Sequence, residues 1–131
     1  MSREYLKGEG QQRRSYSKAV VTSGGQKTVY LAGVGGMWEK DGTLIAGNTR
    51  RQCERTFELI EENLAEVGGT MADIVTMVVY VLDMRFGDEF CELRRQYFGD
   101  DYPSSSLLGV SAFAEPEMLI EITTTAVLGD S

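Results

Sequence analysis

The run Ile74-Val-Thr-Met-Val-Val-Tyr-Val-Leu-Asp-Met84 is almost continuously apolar and rich in β-branched residues. A strand of this kind does not alternate between an oily side and a wet side, so both of its faces need cover. Helices of the same chain can supply one cover. At 131 residues the chain has the size of one domain, which is too small to build a second layer on the other face. Another copy of the polypeptide is the natural cover there. This strand therefore points to a layered α+β domain that associates with itself.

The flanking sequence supplies the helices. Cys53, Phe57, Ile60, Leu64 and Val67 recur at steps of four, three, four and three, which is one apolar stripe of a helix. Asn48 or Thr49 caps its start, and Gly68-Gly69 ends it. On this stripe Cys53 reads as core. Thr70-Met-Ala-Asp73 reads as a single helical turn with its own cap. Phe86, Phe90, Leu93 and Tyr97 mark a second helix, closed by Gly99. Ala19–Ser23 and Thr28–Ala32 read as strands joined by Gly24-Gly25-Gln26-Lys27, which predicts an antiparallel hairpin. Leu107–Ser111 and Leu119–Val127 read as the last two strands. The Gly-rich loop Gly33–Gly36 lacks a phosphate-cradle pattern, and predicts instead a close backbone approach to a ligand or a neighbouring chain. The whole chain, 1–131, reads as one domain, with 1–15 a loosely packed N-terminal segment.

Composition excludes much chemistry. There is no histidine, so no Ser-His-Asp or Cys-His nucleophile and no imidazole metal site can form. Two cysteines make neither a disulfide framework nor a Cys₄ site. We expect no metal and no cofactor. Thirteen basic residues against twenty acidic ones give a net charge of −7, which disfavours nucleic acid as the main partner. The small basic clusters, Arg13-Arg14 among them, read as solvated surface. No apolar run approaches a membrane span and the N-terminus does not read as a secretory signal, so the cytoplasm is the expected compartment.

In order and spacing, several of these pieces resemble the RidA/YjgF family, also called L-PSP endoribonuclease-like. They are Tyr16-Ser17 before the first strand, Ala32-Gly33 at a strand end, Asp73-Ile74-Val75 feeding the long strand to Leu82-Asp83-Met84, Tyr102-Pro103 before a polar segment, and Ile120-Glu121-Ile122 in the last strand. The resemblance runs from about Tyr16 to Val127. It implies a chorismate-mutase-like α+β fold, with two helices on one face of a mixed sheet. It also implies a homotrimer with clefts between subunits, and hydrolysis of small imines or enamines to keto acids and ammonia.

At one place the chain departs from the family. Where the family reads Pro-x-Arg-Ser, this chain reads Pro103-Ser104-Ser105-Ser106, and a serine hydroxyl cannot replace a charged fork that grips a carboxylate. The resemblance nevertheless places Glu121 as the residue that positions water, and Tyr16, Gly33 and Ser105 at the substrate. It brings Cys91 to the cleft, and Arg94, three residues further along the helix, shares that face. Arg94 would then hold a substrate anion and favour the Cys91 thiolate; the alternative is a solvated Arg94 beside a passive thiol. Phe90 and Trp38 complete the candidate substrate-binding set, Trp38 as a lid or as packing at a subunit contact. Glu121 is suited to acid–base work if it faces a partly buried cleft, and is a surface carboxylate if it faces solvent. Three functions follow: a hydrolase whose substrate differs from that of arginine-containing members, a non-catalytic small-molecule-binding trimer, or a ribonuclease.

Overall fold

The computed structural model describes residues 1–129. Its strands are β1 (Ser2–Leu6), β2 (Ala19–Ser23), β3 (Lys27–Tyr30), β4 (Ile74–Val81), β5 (Ser104–Gly109) and β6 (Ile120–Leu128), and its helices α1 (Glu9–Arg13), α2 (Thr49–Ala65) and α3 (Gly87–Phe98). The main sheet has the order β3-β6-β4-β5. Strand β4 runs antiparallel to β6 and parallel to β5. The fold is α+β, with a mixed sheet carrying α2 and α3 on one face.

Helix α2 forms where the apolar stripe lies. Asn48 is its cap, accepting from the Arg51 N–H at 3.0 Å. Cys53, Phe57, Ile60 and Leu64 are fully buried, and burial pushes the Cys53 thiol pKa up, as befits an inert core residue. The stripe stops one step earlier than its period implies. Gly68 takes φ +82, Gly69 N–H closes onto the Leu64 carbonyl at 2.8 Å, and Val67 is turned outward. Thr70 and Asp73 cap the short turn Met71–Asp73 reciprocally. On β4, Ile74, Met77, Val79 and Val81 are buried beneath the helices, while Val75, Thr76, Val78 and Tyr80 are only half-buried. Within one chain the second face of this strand is therefore open.

Three expectations need correction. Strands β2 and β3 do not pair with each other: β2 pairs with β1, and β3 pairs with β6. After Gly24 (φ +71) the chain crosses to the main sheet, where Gln26 N–H reaches the Leu128 carbonyl at 2.9 Å. The free edge of β6 thus wins over the local hairpin. The N-terminal segment, read as loosely packed, has regular structure, although none of residues 1–14 is buried. It forms β1 and the short α1, and Arg3 bonds both Asp73 Oδ1 at 2.6 Å and the Val127 carbonyl at 2.7 Å. Finally, the Gly-rich loop makes its close approach to its own helix. A Cβ on Gly36 would lie 2.5 Å from the backbone nitrogen of Thr56, and the Gly36 N–H donates to Thr56 Oγ1 at 2.8 Å.

Candidate active site

Arg94 projects from α3 beneath the sheet and is 1% exposed. Its guanidinium donates through Nη1 to Ser105 Oγ at 2.6 Å, through Nε to Ser15 Oγ at 3.2 Å, and through Nη2 to the Arg14 carbonyl at 3.2 Å. It lies over the Phe90 ring, 4.8 Å from the centroid, with the Tyr16 ring at 5.8 Å. These groups border a cavity of about 240 Å³, lined by Arg14, Tyr16, Met84, Cys91, Arg94, Ser105 and Leu107. The parallel pairing of β5 with β4 sets Ser105 level with the buried Met77, on the helix face of the sheet, and this puts its hydroxyl within reach of Arg94.

The partners of Arg94 are all neutral oxygens; no ion pair to it forms among the described residues. A buried charge without a counter-charge is costly. Burial accordingly pushes the Arg94 pKa down to about 10, with the charge of nearby Arg14 acting in the same direction. Of the two readings of Arg94, the solvated one is excluded. Cys91, one turn earlier on α3, is 4% exposed and borders the same cavity.

Glu121 stands elsewhere. On β6 it alternates with the buried Ile120 and Ile122 and is level with Tyr80 of β4, so it faces away from the helices. There it borders a second cavity of about 390 Å³ with Tyr80, Val110, Ala112, Phe113, Ala114 and Thr123. Gly33 belongs to this side: a Cβ added to it would lie 2.7 Å from Glu121 Oε2. The expected role of Gly33 is thus refined, since its missing side chain makes room for the carboxylate. A Gly33→Ala substitution should leave the melting temperature within a few degrees, because the carboxylate can swing aside. If Glu121 acts in the imine hydrolysis proposed below, displacing it by about an ångström should lower that activity by about 10–10²-fold. Thermal melts and keto-acid release measured on the same preparation check both halves.

One chain therefore brings Tyr16, Cys91, Arg94 and Ser105 together over Phe90, and separately brings Gly33 to Glu121. Trp38 joins neither group. It is 51% exposed, its backbone bridges to Leu44, and its carbonyl accepts from Arg55. Arg14 and Ser15 were not anticipated. Ser15 is fully buried with φ 63, and its hydroxyl donates to the Cys91 carbonyl at 2.7 Å. A serine ahead of a Tyr-Ser pair gives no periodic signal, and Arg13-Arg14 had the look of ordinary surface charge.

A model of the family described as Endoribonuclease L-PSP matches residues 9–128. The chain belongs to this RidA/YjgF family. Among relatives of this RidA-family chain, a RutC family protein of Pyrococcus abyssi is 27% identical over 111 residues, covering 85% of this chain and 84% of the relative. The human 2-iminobutanoate/2-iminopropanoate deaminase is 26% identical over 114 residues, covering 87% and 80%. Among solved structures, the conserved Rid family protein YyfB of Yersinia pestis, of unknown function, superimposes with a TM-score of 0.85 at 30% identity, covering 98% of this chain and 100% of that one. Ser105 thus lies in a chain that has the RidA fold over nearly all of its described residues.

Proposed function

We propose that this RidA-family chain is a deaminase-type hydrolase of small anionic imines or enamines, working in clefts between the subunits of a homotrimer. The observation that carries this reading is the buried Arg94 guanidinium, which borders a cavity and has no carboxylate partner. A guanidinium has five N–H donors; three are used by Ser105, Ser15 and Arg14, which leaves two. Those two lie one on each terminal nitrogen, the number of donors a bidentate carboxylate needs. The guanidinium reaches in from α3, and the strand position that holds arginine in the family pattern is Ser105, which now braces it. The carboxylate would be held at a different angle from that in arginine-containing relatives, and this favours a substrate of different shape.

The chemistry needs little else. With the carboxylate fixed, water adds to the C=N carbon and a proton passes to nitrogen, giving a carbinolamine. Its C–N bond then breaks, releasing ammonia and the keto acid. Glu121 is the proposed residue that positions the water and relays the proton. Cys91 and Tyr16 wall the anion end, and Phe90 packs against the guanidinium. Arg94 and Glu121 lie on opposite faces of one sheet, so the cleft we propose joins Arg94 of one copy to Glu121 of another. The half-buried face of β4 supports such an association. The reaction needs no metal-bound group and no cofactor.

The test is to generate 2-iminobutanoate and related imines in situ and follow keto acid and ammonia. We expect release above the spontaneous rate, with Glu121→Gln lowering it by about 10²–10³-fold. If wild-type protein adds nothing to the spontaneous rate across mono- and dicarboxylic imines, the hydrolase reading falls and a binding protein remains.

A further inference from the structure

The wall of the Arg94 cavity carries a second positive charge. Arg14 borders the same 240 Å³ space, and its backbone carbonyl is an acceptor for Arg94 Nη2. Both arginines thus border one small cavity, with the Arg14 side chain half-exposed at its edge. No carboxylate is among the lining residues. The nearest acidic partner is Asp88, paired with Arg14 Nη1 at 2.8 Å, but its side chain is 93% exposed. A pair that open to water contributes little and is readily exchanged, so Asp88 does not neutralise the cavity. It holds Arg14 at the rim through Nη1, while the second terminal nitrogen, Nη2, lies near Gly87. A monoanion on Arg94 would leave a positive charge at the mouth of a small, partly enclosed space, whereas a dianion satisfies both.

From this arrangement we infer that the substrate is a short-chain 2-imino dicarboxylate (or its enamine form), with one carboxylate on Arg94 and the other on Arg14. The inference rests on the reading of the site as an imine-hydrolysing anion pocket, and it adds Arg14 as the residue that sets specificity. The reaction that supplies such a substrate would be the oxidation of the C–N bond of an acidic amino acid, or the elimination of a β-substituent from a β-substituted one, because these steps leave an imine or enamine bearing two carboxylates.

Two measurements separate the inference from the reading beneath it. The first compares hydrolysis of 2-iminosuccinate with that of 2-iminobutanoate, both generated in situ. We expect kcat/KM at least tenfold higher for the dicarboxylate, with Arg14→Gln lowering the dicarboxylate rate at least tenfold more than the monocarboxylate rate. The second titrates the unreactive anions succinate and butyrate against wild-type protein and Arg14→Gln by calorimetry. Succinate should bind wild type at least tenfold more tightly than butyrate does, and Arg14→Gln should abolish the difference. Equal handling of the two imines, or a parallel loss on both in Arg14→Gln, overturns the inference while leaving imine hydrolysis intact. Arg14-dependent succinate binding without turnover of either imine sustains the dianion site and overturns the hydrolase reading. Failure of succinate to bind in preference to butyrate overturns the dianion site whatever the turnover.

Discussion

Arg94→Met should abolish nearly all turnover while leaving the fold at least as stable as wild type. Truncating one partner of a buried, hydrogen-bonded charge pair costs about 2–5 kcal/mol, and even the lower end of that range corresponds to about 30-fold in kcat/KM, its middle to several hundredfold. Stability should move the other way. In the unliganded protein Arg94 is a desolvated charge braced only by Ser15, Ser105 and a backbone carbonyl. Methionine fills similar space over Phe90 and carries no charge, and apolar replacement of a buried charge is often neutral or stabilising. Loss of the bonds to Ser15 Oγ, Ser105 Oγ and the Arg14 carbonyl offsets part of that gain. The pH dependence has a definite sign. The folded-state pKa, about 10, lies below that of an ordinary arginine, so the charged form is disfavoured by folding. The destabilisation is fully present below about pH 10 and fades as pH rises beyond it. Stability curves of the two proteins against pH should therefore converge at the alkaline end. A methionine variant that is both unfolded and inactive at neutral pH would contradict this account.

Phe57→Ala should have the largest effect on stability, about 3–5 kcal/mol, the usual range for removing a buried ring. Phe57 is fully buried at the centre of the core. It stacks on Tyr97 at 4.4 Å and Phe90 at 6.1 Å and meets Phe98 edge-on at 6.5 Å. In a domain of this size the loss lowers the melting temperature by roughly 10 °C or more. Its effect would reach the site as well, because Phe90 is the ring on which the Arg94 guanidinium rests. Calorimetric melts give the first number. A loss below about 1 kcal/mol would mean that the aromatic cluster repacks around the gap.

What could be read from the sequence was whatever a period or a local cap determines. The stripe from Cys53 to Leu64, the cap at Asn48, the reciprocal cap of Thr70 and Asp73, and the apolar run of β4 all stand in the structure where their patterns put them. Sheet order was less legible. The glycine link between β2 and β3 looks like a hairpin, and nothing local reveals that β6 offers β3 a better edge. Strand β1 was missed because Ser2–Leu6 is short and polar and becomes a strand only by pairing with β2. In the site, helix spacing was enough to put Cys91 and Arg94 on one face. The meeting of Arg94 with Ser105 depends on the parallel register of β5 against β4, which no local pattern encodes. Arg14 was passed over because a charge near a chain end looks solvated until the packing around it is known.

The alternation along β6 has one more consequence. It directs Glu121 and the guanidinium of Arg94 to opposite sides of one sheet, and two facing layers of a fold stand roughly 10 Å apart with the strands between them. A metabolite a few bonds long cannot touch both within one polypeptide. Given the intersubunit cleft proposed above, any substitution that loosens the grip between copies would register in an assay as a loss of turnover, even though it alters no atom that meets the substrate.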